Sequence, residues 1–429
     1  MASPSERALA VFPAGISNGE FGLPADRLVV MERGEGCILW DTDGKRYLDF
    51  SMGWGSCLVG HARPEVVEAV TRQAPLGSNF AYLNTHVLAL AEEIASACPA
   101  VERLRFCASG TEATMYCQRL ARAVTGRARI LKFEGAYHGA NEAGVTSLFP
   151  SRRLDFPLPE LTSAGTPAAR DQILVAPYND AEAARSIMAE YSAELAAVVI
   201  EPLQRCTPPE EGFLEAVRAA CTDNGVLLIF DEVVTGFRLA YGGAQEFYGV
   251  LPDLVAYGKA LGGGYPIGAF GGRADLMDWV NEARIGRDDY VWMASTLGGN
   301  PVSTAAANAA LGVYRQPGTY EHLRGLGRHL RAGLRRVLDG LGETAQVIGD
   351  GPLAQIVFSA HKVNDYRSTA RGDKAKARAM MLGLFDRGVF LNPMGTKLYL
   401  SLAHDEGACD GLCDRLGDTL ANLKNVKVA

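Results

Sequence analysis

Two stretches of this chain hold residue types that can do covalent chemistry, and both sit where a strand should end. The run Val226-Leu227-Leu228-Ile229-Phe230 closes in Asp231-Glu232. A short, unbroken apolar run of this kind suits a strand buried on both faces of a parallel sheet better than an amphipathic helix. A second run, Leu254-Val255-Ala256-Tyr257, delivers Gly258-Lys259 and then the glycines at 262–264. In open α/β sheets the carboxyl ends of the strands border the crevice where ligands bind. A lysine placed there has two jobs open to it: holding a phosphate as a point charge, or forming a Schiff base with an aldehyde. Taken singly, Asp231 reads equally well as a helix cap and Lys259 as a surface charge.

Taken together, an anion and a primary amine at neighbouring strand ends match the needs of pyridoxal 5'-phosphate. Its ring nitrogen requires a carboxylate and its aldehyde a lysine. Residues 225–272, with the phrases IFDEVVTGFRLAYGGAQEFYGVLPDL and YGKALGGGYPIGAFGG, resemble the class III aminotransferases of fold type I. The glutamate-1-semialdehyde aminomutase branch is the nearest in appearance, and the likeness runs from about residue 30 to the C-terminus.

The resemblance implies an α/β fold, with a large domain built on a mostly parallel seven-stranded sheet and a smaller α+β domain from the two ends of the chain. It divides the chain into an arm and part of the small domain over 1–60, the cofactor domain over 61–315 and the small domain over 316–429. It implies a PLP-dependent aminotransferase, or alternatively an intramolecular aminomutase or amino-acid epimerase on the same cofactor, with Lys259 as the covalent anchor and Asp231 at the ring nitrogen. Ser109-Gly110-Thr111, within SGTEA, becomes the phosphate cup. Tyr137 of the Tyr137-His138-Gly139 motif becomes the stacking ring, with His138 beside it, and Val233 packs on the opposite face. Glu201 and Gln204 of the EPLQ stretch join the cofactor set, Gln204 reaching the phenolic oxygen. Thr296, in the STLGGNP block, completes the phosphate cup of a second subunit, so a homodimer is implied. The partners are a donor amine or amino acid and a carbonyl acceptor.

These residues need elements to hold them. Arg103 to Ala108 reads as a strand running into Ser109, and a helix follows through residue 124. The first-turn amides of such a helix favour an anion, although Ser or Thr followed by Glu is also an ordinary cap. Residues 130–133 and 195–200 are further strand runs ending at Glu134 and Glu201. Residues 1–30 read as an irregular arm, and residues 31–47 as a hairpin about Asp43-Gly44. Residues 48–61, with Trp54, read as a loop entering the site. Residues 140–172, with four prolines and Arg152-Arg153, lack any period, and long loops of this kind are lids or binding loops.

The 429 residues carry a net charge of −7, with 48% hydrophobic and 21% charged residues. That is a globular composition, with no charge reason to expect nucleic acid or an anionic membrane as a partner. Neither a leader nor an apolar run of bilayer length is apparent, so the cytoplasm is the expected location. Nine cysteines without CxxC spacing and seven histidines without paired spacing give no disulfide framework or metal site. A nicotinamide-linked dehydrogenase fails on pattern, because no GxGxxG joins a first strand to its helix.

One departure bears on substrate. The aminomutases place a carboxylate-binding arginine in an N-terminal motif, whereas here the matching position is Phe21, beside Glu20. Loss of a bidentate clamp is not conservative. It points away from the semialdehyde, either toward a neutral or cationic substrate near Glu20, Phe21 and Trp54, or toward a carboxylate held elsewhere, with Arg153, Arg205 and Lys397 as replacement anion holders.

Overall fold

The computed structural model describes residues 2–19, 23–161, 167–391 and 396–426. The chain separates into two compact units. One comprises Pro64–Tyr320 together with Asn364–Arg367, and the other Met1–Arg63, Glu321–Val363 and Ser368–Ala429.

The first unit is built on a seven-stranded sheet. In spatial order its strands are Arg103–Cys107, Gly268–Gly272, Leu254–Tyr257, Leu227–Glu232, Leu195–Ile200, Arg129–Phe133 and Ile173–Ala176. Only Gly268–Gly272 runs against its neighbours. The other six share one direction, so their carboxyl ends all open on the same side. The continuous apolar runs follow from burial on both faces: Leu195–Ile200 and Leu254–Tyr257 are buried throughout. The register sets Asp231 opposite Ala256 and Glu232 opposite Tyr257, so Lys259 follows just beyond the strand adjoining Asp231.

The reversed strand is thin for a reason. A Cβ at Gly268 would lie 2.2 Å from the Ser109 carbonyl oxygen, and one at Gly271 would lie 2.7 Å from that of Arg103. Bare backbone lets the end of the Arg103–Cys107 strand, and the helix Gly110–Thr125 that follows it, close onto the sheet.

The second unit holds a four-stranded sheet, with Met31–Glu35, Ile38–Asp41, Arg46–Asp49 and Val389–Phe390 in order. It also holds a three-stranded sheet, with Gln346–Ile348, Leu353–Val357 and Lys397–Tyr399 in order. Its core gathers Leu326, Leu330 and Leu334 with Leu412, Leu416 and Leu420 from two long helices. Here the N-terminal arm is more regular than its composition suggests. Residues Pro4–Val11 form a helix, because Ser3 and Glu6 make a reciprocal capping box and Pro4 presets the first turn. Among the described residues no helix is long and apolar enough to cross a membrane, none of the nine cysteines is in a disulfide, and no cluster of metal ligands occurs.

Candidate active site

The strand ends of the large sheet bring most of the candidate residues together. Ser109 caps the helix Gly110–Thr125, its side chain accepting the Glu112 amide at 3.2 Å. The amides of Gly110 and Thr111 come next in the turn, where a helix offers no internal acceptor. Gly110 is required there, since a Cβ would sit 2.7 Å from Val233 Cγ1 and 2.8 Å from Cγ2. Gly258 presses on the same spot, its would-be Cβ 3.3 Å from the Gly110 Cα. The start of the helix therefore lies directly against the strand end that carries Lys259 and the turn that carries Val233.

From another strand end comes the loop holding Tyr137 and His138. The His138 carbonyl accepts the Thr114 hydroxyl at 2.7 Å, and Thr111 Oγ1 accepts the Ala140 amide at 3.3 Å. These bonds stitch the loop to the helix. The His138 ring is wholly buried, and its Nδ1 lies 2.8 Å from Asp231 Oδ2. The other Asp231 oxygen accepts the Val233 amide at 3.1 Å. With the carboxylate as acceptor, Nδ1 donates the proton, and Nε2 is left buried without a partner.

Glu201, at the end of Leu195–Ile200, accepts the Tyr137 amide at 2.8 Å and the Arg205 amide at 3.1 Å. Burial would raise this carboxyl, but Arg205, His138 and the two amides outweigh it and hold it below the usual range. Arg205 adopts a left-handed φ of 60°, donates through Nε to the Gly135 carbonyl at 3.2 Å and lies 5.6 Å from the centre of the Tyr137 ring. Gln204 donates to the Glu134 carbonyl at 2.7 Å, and its Oε1 is buried and unpaired.

Lys259 also takes a left-handed φ, 42°, a conformation that a side-chain-bearing residue adopts only when its surroundings impose it. Its amine has no hydrogen-bond partner among the described residues. Burial lowers its pKa, with Arg205 and Arg238 acting in the same sense, against the pull of Asp231 and Glu201. That balance eases loss of the proton, which a nucleophilic amine requires.

Two candidates of this unit stand apart from this group. Thr296 is exposed, its carbonyl accepting Asn79 Nδ2 at 3.1 Å. Arg153 is exposed and makes no hydrogen bond or ion pair among the described residues. Trp54, at φ 58°, belongs to the other unit, and Glu20 and Phe21 lie outside the described residues.

Other residues entered the group unannounced. Glu134 is buried and forms a two-pronged ion pair with Arg367, at 2.8 and 3.1 Å. Tyr366 fills the space a side chain at Gly135 would need, its Cδ2 lying 2.2 Å from the would-be Cβ. No local sequence signal announces residues 364–367 as part of this unit. Lys132 does leave a signal, as a charge inside an otherwise apolar strand run.

Comparison with known proteins fits this arrangement. The family model for class-III aminotransferases matches residues 24–420. The glutamate-1-semialdehyde 2,1-aminomutase of Thermomicrobium roseum is 40% identical over 424 residues, 97% of each chain. The omega-transaminase from Sphaerobacter thermophilus superposes with a TM-score of 0.91 at 34% identity, covering 97% of this chain and 96% of that one. A glutamate-1-semialdehyde aminomutase from Pseudomonas aeruginosa PAO1, solved in complex with PMP, gives a TM-score of 0.83 at 25% identity over 92% and 87%.

Proposed function

Since this chain belongs to the class-III aminotransferases and is a pyridoxal 5'-phosphate-dependent enzyme, we propose that it moves an amino group between a donor amine or amino acid and a separate carbonyl acceptor. The observation that carries this reading is the pairing of Asp231, locked by His138, with the unpartnered amine of Lys259 at adjacent strand ends.

The residues suit the cofactor. Gly110 and Gly258 leave a patch of bare backbone beside the free amides of the helix start, as a phosphate requires. His138 Nε2, Gln204 Oε1 and Arg205 Nη2 are buried polar atoms with no partner among the described residues. The cofactor, when bound, supplies an aldehyde carbon and an electron-withdrawing ring. Ser109, Gly110 and Thr111 would hold the phosphate. Asp231 would keep the ring nitrogen protonated, and His138 fixes the orientation of that carboxylate. Tyr137 and Val233 would flank the ring and Gln204 would address the phenolic oxygen, while Glu201 anchors the Tyr137 backbone. Lys259 Nζ would hold the aldehyde carbon and, when free, would move a proton at the reacting carbon, a service worth about 10²–10⁴-fold in rate.

Thr296 serves a second copy in this reading. It is exposed among Leu76, Tyr82, Leu83, Trp292 and Leu297, all large, apolar or aromatic and themselves exposed. Asn79 and Asn84 hydrogen bond to the carbonyls of Thr296 and Gly299, tying these two segments into one surface. A patch of that kind marks a protein interface, and we assign it to a homodimer.

An intramolecular aminomutase is the second reading, favoured by the 40% identity to the Thermomicrobium roseum enzyme. The replacement of the expected arginine by Phe21, beside Glu20, favours transfer over mutation and a substrate other than glutamate-1-semialdehyde. The test has two arms. Purified protein should be yellow, and borohydride should fix the cofactor to Lys259; fixation at Lys132 instead overturns the site. Turnover should need an added amino donor, and Phe21→Arg should raise activity on the semialdehyde. Efficient isomerisation of the semialdehyde by the wild type without donor establishes the mutase instead.

A further inference from the structure

Lys132 is the charged residue least expected where it stands. It occupies the strand Arg129–Phe133, is 1% exposed, and has no carboxylate as a hydrogen-bond partner. Its Nζ instead meets four backbone carbonyls: Ala136 at 3.0 Å, Ala143 at 3.2 Å, Gly144 at 2.9 Å and Thr146 at 2.6 Å. All four belong to the loop that carries Tyr137 and His138.

The loop is wound tightly about that point. A Cβ at Gly144 would lie 2.2 Å from the Gly139 carbonyl oxygen, so the two arms of the loop touch backbone to backbone. Asn141 bridges them, its Oδ1 accepting the Gly144 amide at 2.9 Å and its Nδ2 donating to the His138 carbonyl at 3.2 Å. Four carbonyl oxygens converging on one buried point repel one another unless a positive charge sits among them. An ammonium has three N–H groups for these four acceptors, so directed hydrogen bonds alone do not account for the arrangement. It has the character of a small cation site with the cation on a stalk, comparable to the carbonyl rings that replace the hydration shell of potassium. Burial and the nearby Arg205 push the Lys132 amine down to about 7, against the pull of Glu201 and Asp231.

We propose that Lys132 is a positioning residue whose ammonium acts as a tethered cation, and that its charge, not its bulk, folds residues 136–146 so that Tyr137 and His138 reach their places. The chain of contacts is continuous: the ammonium fixes the Ala136 carbonyl, the next residue is Tyr137, and His138 then meets Asp231. Lys132 touches neither substrate nor the ring, and acts through the loop.

The test uses the full-length holoenzyme and two substitutions. Lys132→Met keeps the length of the side chain and removes the charge. Lys132→Ala opens room for a free cation. Hydrogen exchange of the amides in 136–146 and the rate of cofactor release are the readouts. Both variants should show exchange and release faster by about ten- to a hundredfold, the scale expected for buried carbonyls left without a partner. For Lys132→Ala, potassium, ammonium or n-propylammonium should slow both rates again in a saturable way. Tetramethylammonium at equal ionic strength, with no N–H and too large a radius, should not. A Met variant with wild-type exchange overturns the proposal, since stem packing would then suffice. So does an Ala variant that no cation restores. If the wild type binds no cofactor, the functional reading fails while the exchange measurement still decides the role of Lys132.

Discussion

Asp231 and Glu232 are chemically near-identical, adjacent and both buried, yet they serve opposite sides of the sheet. Successive side chains of a strand point to opposite faces. Asp231 faces the crevice, where an imidazole is its neighbour and its second oxygen takes one amide. Glu232 faces away, into the turn that leads to the helix Ala244–Tyr248. Its oxygens accept the Ala244 amide at 2.5 Å, the Thr235 hydroxyl at 3.0 Å, and the amide and side chain of Gln245 at 3.2 and 3.1 Å. The first carboxylate keeps one imidazole and one amide as company. The second is enclosed by fixed donors. Residue type alone does not separate a reactive carboxylate from a structural one; the partner set does.

The sharpest way to break the contrast is to neutralise each side in turn. Asp231→Asn should cut turnover by about 10²–10⁴-fold, the range of a lost proton-managing group. Its stability cost should be only about 1 kcal/mol, because the amide oxygen still accepts the His138 proton. Steady-state kinetics beside a denaturant titration measures both. Glu232→Ala should do the reverse. Leaving a ring of buried donors unpaired should cost about 3–5 kcal/mol of stability, with kcat per folded molecule changed by less than about threefold. Equal effects on rate and stability in both variants would erase the distinction.

How far the sequence anticipated this follows from the same contrast. The strand ends were legible because a continuous apolar run has one comfortable home, the middle of a parallel sheet, and its last residue then falls at the crevice. That logic located Asp231, Lys259, Glu201 and the start of the helix at Gly110. It was silent on which face Asp231 and Glu232 take, since an unbroken apolar run carries no alternation to mark the faces. It was silent too on Glu134 and Arg367, which are 233 positions apart, because no local pattern encodes a partner chosen by tertiary folding. The helix Pro4–Val11 was hidden by proline and serine read as loop formers, although in the order found here they are start signals.

A smaller effect sharpens the comparison at its edge. Gly110→Ala places a methyl against Val233, the residue after the pair, and should cost about 1–3 kcal/mol through overpacking. Val233→Ala should return much of that loss, and a double-mutant cycle on cofactor affinity and stability reads the coupling. Additive losses would place the strain elsewhere.

The smallest expected effect is a slope with pH. Burial raises the Glu232 carboxyl above its usual range, against the donors that favour its ionised form. The folded chain then keeps this proton over an interval in which the unfolded chain has already lost its own, near pH 4.3 for a free glutamate. Stability therefore declines as pH climbs from that value through the elevated one. Unfolding free energies measured across this interval for the wild type and Glu232→Gln should differ in slope, the variant being flatter.

The placement of Asn364–Arg367 has a consequence for biosynthesis. These four residues complete the unit that carries the candidate site, bonding to Asn179, Glu210 and Glu134. On a ribosome the whole seven-stranded sheet can emerge and fold while they are still untranslated. Until they arrive Glu134 is a buried anion without its counter-ion, directly beside the loop of Tyr137 and His138. A nascent chain halted between Thr296 and Asn364 thus holds every residue assigned to the cofactor and still lacks the brace beside them.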